Sequence, residues 1–396
     1  MTTHSVPLSE LVEFNPTPGR NFVGPEVVSF LGMADVSERG TTASGEDREY
    51  SAVSKGYTPF RNGDILVAKI TPCFQNGKIA QARINHDVGA GSTEFHVVRP
   101  RDGVDGRYVL RFLRQEWIRR EGESRMTGSG GQRRVPEVYL RALKIPFPPL
   151  AEQKRIAAVL DQLDTLRAKR RDAITLLDDL TQSIFLDMFG NPATNSMGWP
   201  LGTVKEILES ATYGTSEKAS LSGDVPVLRM GNVTSTGEID MTNLKYLTIE
   251  QASEKYMVRR GDVLFNRTNS AELVGKSAIY RRDESVAYAG YLVRLRVDES
   301  NNPEYLAAYL NSAYAKAWFR AKCKSIVGMA NINAKEVQAM RIAMPPLDLQ
   351  MKFAESVKAL ESVKRAHRAH LAALDELFES LQQRAYSGQL WDHEAA

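Results

Sequence analysis

The chain of 396 residues carries two cysteines, no apolar run of about 18 residues and a net charge of only +3. Each scarcity excludes something. Cys73 and Cys323 fall in separate copies of an internal repeat and neither has CxxC-type spacing, so free thiols in a reducing compartment are expected. Without a long apolar run there is no membrane-spanning helix to expect. The opening MTTHSVPLSELVEF lacks the basic-then-apolar pattern of a leader, so the reading is a soluble, cytoplasmic protein with no membrane partner. With Lys plus Arg at 51 and Asp plus Glu at 48, the whole-chain field is weak, and any nucleic-acid contact has to come from local patches.

What is present is a duplication. FRNGDILVAKI at 60–70 returns as VRRGDVLFNRT at 258–268, with Gly261 lying 198 residues beyond Gly63. Subtracting 197 or 198 also carries Val225–Val233 onto Val28–Val36, Gly275-Lys276 onto Gly77-Lys78 and Tyr305 onto Tyr108. Pro345-Pro346-Leu347 falls on Pro148-Pro149-Leu150, Gln350 on Gln153 and Gly388 on Gly190. A unit near 200 residues is too long for a solenoid repeat, so each copy should be a folded domain plus whatever follows it.

Within each copy the texture changes once, at the double proline. Upstream are short β-rich runs: Val27–Leu31, Ile65–Ile70, Phe95–Val98, then Val225–Leu228, Val263–Phe265 and Leu292–Val297. One helix is expected to close each domain, around Tyr108–Arg120 and Pro303–Lys322. Downstream come about forty residues with no internal proline or glycine, long for a globular helix. The fold class is therefore α+β, two similar β-rich globular domains joined by two long helices. The boundaries read 1–149 for the first domain, 150–190 for the first helix, 191–346 for the second domain, 347–390 for the second helix and 391–396 for a tail.

The two helical segments share a heptad seam. Ile156, Leu160, Leu163, Ile174, Leu177, Ile184 and Met188 form one 3-4 spaced stripe; Phe353, Val357, Leu360, Leu371, Leu374, Phe378 and Leu381 form the other. At about 1.5 Å per residue each helix would run roughly 60 Å, longer than one domain covers, and the simplest burial pairs the helices as an antiparallel coiled coil. That pairing would place the two globular domains at opposite ends of a rod. The stripes also pass through Arg167, Arg170, Lys364 and His367, so four basic or potentially basic groups would meet at mid-seam unless Asp161, Asp164, Glu361 or water compensates. The expectation is either a splayed, wet middle or a docking place for an acidic partner surface.

A β-rich domain ending in a Pro-Pro-Leu-x-x-Gln helix start, then a long helix, then both again, resembles the specificity subunit of a Type I restriction-modification system. The tract GSGGQRRVPEVYLRALKIPFPPLAEQKRIAAVLDQLD at 128–164 is similar to that family's signature, as are GDILVAKITP and GSTEF. The second copy departs from it in the glycine loop, with Gly328-Met-Ala-Asn-Ile-Asn333 in place of Gly128-Ser-Gly-Gly-Gln-Arg-Arg134. The resemblance implies a non-catalytic subunit whose two target recognition domains read the halves of a bipartite double-stranded DNA sequence. The coiled coil would dock two modification subunits, adenine methyltransferases using S-adenosylmethionine, and ATP- and Mg-dependent restriction motor-nuclease subunits would join for cleavage. Splitting the target has a physical logic, because a rigid spacer turns two short readings into one long one with a fixed gap.

The residues agree with the absence of catalysis. Asn15-Pro16-Thr17-Pro18 and Asn191-Pro192-Ala193 fail the Asn/Asp-Pro-Pro-Tyr/Phe motif of an adenine methyltransferase, and neither GxxxxGK[ST] nor a nuclease core stands out. Of six histidines only His367 and His370 form a close pair, with no third ligand nearby in sequence, which favours a solvated or seam role over a metal site. No catalytic residue, no metal and no cofactor bound by this chain are expected. Rival readings are a self-contained methyltransferase or nuclease, and a coiled-coil scaffold that does not read DNA.

Candidate DNA-contacting residues follow the Gly-Asp phrase and the glycine loop. In the first domain they are Lys69, Thr71, Gln75, Asn76, Lys78, Gln132, Arg133 and Arg134, with Gly128, Gly130 and Gly131 letting backbone amides approach a phosphate. In the second the register gives Arg267, Asn269, Ser270, Lys276, Asn331 and Asn333, with Arg229 and Asn232 weaker. Arginine and lysine suit phosphate or guanine, and asparagine and glutamine suit adenine. The structural alternative makes the Gly-Asp phrase only a turn and the loop arginines surface ion pairs.

Overall fold

The computed structural model describes residues 4–17, 26–129, 131–270, 272–326 and 329–389, with side chains 324–329 excepted; the tail at 391–396 lies outside them. The chain divides into two compact units, residues 1–169 with 371–396, and residues 170–370.

The first unit holds two four-stranded sheets. One runs in the order Val12–Phe14, Phe95–Pro100, Ile65–Ala68, Ile79–Gln81 and is antiparallel throughout. The other runs Glu46–Glu49, Val27–Leu31, Val88–Gly91, Thr58–Arg61, with Val27–Leu31 and Val88–Gly91 parallel. The second unit repeats both sheets: Leu208–Tyr213, Leu292–Val297, Val263–Asn266, Ser277–Ile279, and Lys245–Leu247, Val225–Leu228, Val286–Tyr288, Met257–Val258. Ile65–Ala68 and Val263–Asn266 are buried along their whole length, which explains why Ile65–Ala68 and Val263–Phe265 read as continuous apolar runs rather than alternating ones.

The repeated Gly-Asp phrase is a turn with a lock. Gly63 and Gly261 take φ of +91° and +92°, a region that costs glycine little. The next residue, Asp64, accepts from the Arg61 amide at 2.7 Å and from Arg99 Nε and Nη2 at 2.9 and 2.7 Å. Asp262 accepts from the Arg259 amide at 3.0 Å and from Arg296 at 2.8 and 2.9 Å. The phrase recurs because this buried aspartate ties the turn to the neighbouring strand in each copy.

Each expected closing helix is two helices. In the first unit Gly106–Leu113 and Glu116–Ser124 are separated by Gln115, whose φ of −61° and ψ of 140° are extended. In the second, Pro303–Asn311 and Ala313–Lys322 break at Ser312, whose hydroxyl accepts from the Ala315 amide and so starts a new helix.

The two long helices are Leu150–Phe189 and Leu347–Ser387, uninterrupted over 40 and 41 residues and each followed by a glycine with φ of +78°, Gly190 and Gly388. The Gln of Pro-Pro-Leu-x-x-Gln fixes their starts. Gln153 is buried, donates to the Pro148 carbonyl at 2.9 Å and accepts from the amide of Asp105, the N-cap of the helix Gly106–Leu113, also at 2.9 Å. Gln350 does the same with the Pro345 carbonyl and the amide of the N-cap Asn302.

Within each unit the helix segments run antiparallel. In the first, Ile156, Leu160 and Leu163 share a core with Phe378 and Ala385, with Leu374, Leu381 and Tyr386 packed against it; Arg167 reaches back to Asp375. In the second, Phe353 and Val357 share a core with Phe185 and Phe189. Ile174, Leu177, Ile184, Met188, Leu360 and Leu371 are half-buried. The fully buried positions near the end of the first helix are Phe185 and Phe189, one residue beyond Ile184 and Met188. A helix of 3.6 residues per turn drifts from a 3.5 repeat, and here the end of the helix meets the domain core. Phe189 packs edge-on to Tyr305 at 4.7 Å between ring centroids, and its register match Tyr386 lies 5.0 Å from Tyr108.

Two of the four basic residues of the seam, Arg167 and Lys364, are compensated by carboxylates. In the first unit Arg167 pairs with Asp164 at 3.3 Å and Asp375 at 2.5 Å, while Arg111 from the globular domain takes Asp161 and Asp164, both at 2.7 Å. In the second, Lys364 pairs with Asp178 and Glu238 at 2.6 Å and Glu361 at 2.8 Å. Arg170 and His367 meet at 3.3 Å, which requires the His367 Nδ1 to accept. Fixed carboxylates therefore answer Arg167 and Lys364, so neither an open wet middle nor a free basic docking place is needed to relieve them.

Candidate nucleic-acid interface

In the first unit Ile65–Ala68 leads straight into Lys69, and its backbone is pinned on both sides: the Lys69 amide donates to the Glu94 carbonyl at 2.9 Å and the Val135 amide to the Lys69 carbonyl at 2.8 Å. The glycine loop thus folds back beside the strand. Thr71 ties them further, donating to the Gly131 carbonyl at 2.8 Å and accepting from the Arg133 amide at 2.9 Å. Gly130 lies outside the described residues.

Side chains from this frame divide sharply. Gln132 and Arg133 are exposed, and their side chains, like that of half-buried Lys69, make no hydrogen bond to the described residues. Arg134 is chelated by Glu94, with Nε to Oε2 at 2.9 Å and Nη2 to Oε1 at 2.7 Å. The hydrogen bond from Arg134 holds the Glu94 carboxyl below its ordinary value, which favours the ionised pair. His96, buried beneath, donates from Nε2 to the Val135 carbonyl at 3.0 Å; burial pushes its imidazole pKa down and keeps it neutral.

Three first-domain candidates are spent internally. Gln75 donates to Glu123 at 3.3 Å, Asn76 to Glu38 at 2.8 Å, and Lys78 Nζ to the Met33 carbonyl at 2.9 Å. These contacts steady loops from within the domain, and a lysine ammonium on a half-buried carbonyl is poorly placed to follow a phosphate.

The second unit rebuilds the frame. The Arg267 amide donates to the Tyr291 carbonyl at 3.1 Å, the Ile332 amide to the Arg267 carbonyl at 2.9 Å, and Thr268–Asn269 pairs with Met329–Asn331. Arg267 Nη2 donates to Asn331 Oδ1 at 3.2 Å and Nη1 to the Gly290 carbonyl at 3.4 Å, with the guanidinium carbon 4.9 Å from the Tyr213 ring centroid. Ser270 is exposed, the Lys276 ammonium makes no hydrogen bond to the described residues, and Asn269 Oδ1 accepts from the Ser270 amide.

Two second-domain candidates are corrected to structural roles. Asn232 is only 3% exposed, with its amide donating to the Asp240 and Thr242 carbonyls and its oxygen accepting from the Arg229 amide. Asn333 caps the helix Ala334–Gln338 by accepting from the Glu336 amide. Arg229 is half-used, donating through Nη2 to the Asn243 carbonyl at 2.7 Å.

Residue-type reasoning missed Glu94, Tyr213 and Tyr291. Glu94 was visible only as part of GSTEF, and an acid is not an obvious choice for a DNA-facing surface. Tyr213 and Tyr291 are 43% and 53% exposed; the Tyr213 ring lies against Arg267 and its hydroxyl accepts from the Ala334 amide at 2.9 Å, while Tyr291 meets Arg267 through its backbone carbonyl. Among the described residues no cluster of His, Cys, Asp and Glu could hold a metal ion, and no helix is long and apolar enough to cross a membrane.

Two duplicated β-rich domains, two long helices and a polar loop frame in each domain define the class of the protein as α+β with an internal duplication. The Type I restriction modification DNA specificity domain matches residues 6–176 and again 197–374, and the chain belongs to that family. It is 39% identical over 191 residues to the EcoAI specificity subunit of Escherichia coli, covering 44% of this chain but only 32% of that protein, so the match spans about a third of that relative's length. With the EcoKI specificity subunit of Escherichia coli K12 it shares 25% identity over 317 residues, 74% of this chain and 68% of that one. Its fold is similar to the Type I restriction-modification S subunit of M. genitalium, with a TM-score of 0.56, 15% identity and coverage of 97% and 96%.

Proposed function

We propose that this chain is the sequence-specific DNA-recognition subunit of a Type I restriction-modification complex, each globular domain reading one half of a bipartite duplex target. The observation that carries the reading is the loop frame repeated in both domains, with side chains that differ between copies. Two different short words held at a set distance are what such a pair of surfaces suits.

The long helices set the gap and dock two adenine-modification subunits, which bring S-adenosylmethionine; ATP- and Mg-dependent restriction subunits join for cleavage. The chain itself supplies no reacting group. Its chemistry is recognition, with Arg133, Gln132 and Lys69 free to meet backbone or base, and phosphate neutralisation giving a salt-dependent affinity.

Methylome sequencing of the host with and without this gene tests the proposal. One bipartite methyl-adenine motif should vanish on deletion. A methylome unchanged by deletion in a host with working modification subunits would refute it and favour a scaffold. Adding a heptad to both long helices should lengthen the unread gap by about 10 Å, roughly three base pairs.

A further inference from the structure

Three positions in each domain are tied by the same backbone bonds and carry different side chains. In the first they are Lys69, Glu94 and Arg134: the Lys69 amide bonds the Glu94 carbonyl, and Arg134 bridges both Ile70 and Thr127. In the second they are Arg267, Tyr291 and Asn331: the Arg267 amide bonds the Tyr291 carbonyl, and Asn331 pairs with both Thr268 and Lys324. The offsets are 198, 197 and 197 residues, the register of the whole duplication.

Around this frame the copies keep their chemistry. The Asp64–Arg99 lock matches Asp262–Arg296, and the Gln153 clamp matches Gln350. At the three frame positions nothing is kept, and all six side chains reach solvent. Fold maintenance conserves a residue between duplicates; a change at every solvent-facing position of a fixed frame is what two different ligand halves would select.

We propose that these positions form the base-reading triplet of each domain, with Arg134 and Arg267 each directed at a guanine. This rests on the DNA-recognition reading above and assigns its specificity to particular groups. A guanidinium recognises guanine by paired bonds to O6 and N7, and that pairing is tight only when the fork is held in advance. Both forks are held, by different means. Glu94 grips Arg134 through Nε and Nη2 and the Gln132 carbonyl accepts from its Nη1 at 3.2 Å, while Tyr213 lies against Arg267 and Asn331 and the Gly290 carbonyl accept from it. Each η nitrogen carries two protons, so Arg134 and Arg267 each keep one proton on Nη1 and one on Nη2 after these bonds. Tyr213 is thus a positioning residue, and the two domains present their arginines from different strands of one frame. The consequence is a guanine at a different place within each half-site.

The test uses the reconstituted complex with its modification subunits and a panel of duplexes in which each base pair of the wild-type methylated motif is replaced in turn. Arg267→Lys keeps the charge and loses the fork. It should reduce discrimination at one G·C pair of one half-site by about tenfold to a hundredfold and leave the other half-site untouched. Arg134→Lys should do the same in the opposite half. Tyr213→Ala should affect the pair that Arg267→Lys affects, and Tyr213→Phe, which keeps the ring and gives up only the hydroxyl that accepts from the Ala334 amide, should keep most of the preference. If Arg267→Lys lowers the melting temperature, Asn331→Ala carries the test: it removes a triplet member together with one acceptor of the fork, so the pair read by Arg267 should respond, along with any pair read by Asn331 itself, and only within that half-site. Unchanged preference at every position in both arginine variants, or loss spread evenly over all positions, overturns the triplet. A wild-type complex with no preferred duplex at all overturns the DNA-recognition reading instead.

Discussion

The Lys364 ammonium stands 2.6 Å from the Asp178 carboxylate, across the antiparallel helix pair of the second unit, with 3% of the lysine side chain exposed. Its register match in the first unit is Arg167 with Asp375 at 2.5 Å, and the third member repeats as well, Glu361 for Lys364 and Asp164 for Arg167. The second unit adds Glu238, which also pairs with Arg368 at 2.6 Å.

Removing the basic groups should therefore destabilise. Lys364→Met leaves Asp178, Glu238 and Glu361 facing each other without their buried cation, at a cost of about 3–5 kcal/mol. The joint replacement of Arg167, Arg170 and Lys364 by leucine should lower the denaturation midpoint in urea. A rise would mean that the carboxylates are solvated enough to need no partner.

Acid should weaken the two units for different reasons. Burial alone would raise the Glu238 carboxyl, and hydrogen bonds from Arg368 and Lys364 outweigh it, leaving Glu238 below its ordinary value. Its contribution is full above the unfolded value of about 4.3 and lost as pH falls through the lowered native one. His96 is lowered by burial, so the unfolded chain binds the extra proton first and stability declines as pH drops below about 6.5. Thermal melts between about pH 8 and pH 5 should show this milder loss, and His96→Gln should flatten it.

Gln153→Ala and Gln350→Ala should each cost about 1–3 kcal/mol, because each strands an N-cap amide, of Asp105 or Asn302, and a proline carbonyl. The effects should be similar in size and additive, measured by urea denaturation of the single and double variants, since the two clamps belong to separate units. A cost confined to one of them would show that the duplicated motif has kept its function on one side only.

Arg133→Ala should weaken DNA binding about equally across sequences and reduce the slope of log affinity against log salt by about one, the signature of one lost phosphate contact. Adding Arg134→Ala should weaken binding further. It also frees the Glu94 carboxylate, placing an unpaired negative charge on the same surface. An unchanged salt slope in both would remove the loop from the interface.

The long helices and the duplication were legible because they rest on local rules: forty residues without proline or glycine, an apolar 3-4 spacing, and a register that survives as identical residues. The candidate site was half legible. Arg134 and Arg267 stand out by type and by position after a glycine turn, whereas Asn232 and Asn333, amides of a type equally suited to a base edge, are spent on backbone.

By itself, then, the sequence determined two copies of one β-rich domain, two amphipathic helices and the basic loop of the first copy, since periodicity, turn residues and repetition are properties of the chain. Tertiary structure alone decided which polar groups remain available. A side chain's partners come from distant segments, as Glu94 comes to Arg134 and Asp375 to Arg167, and no local rule states whether a charge will find its counter-ion.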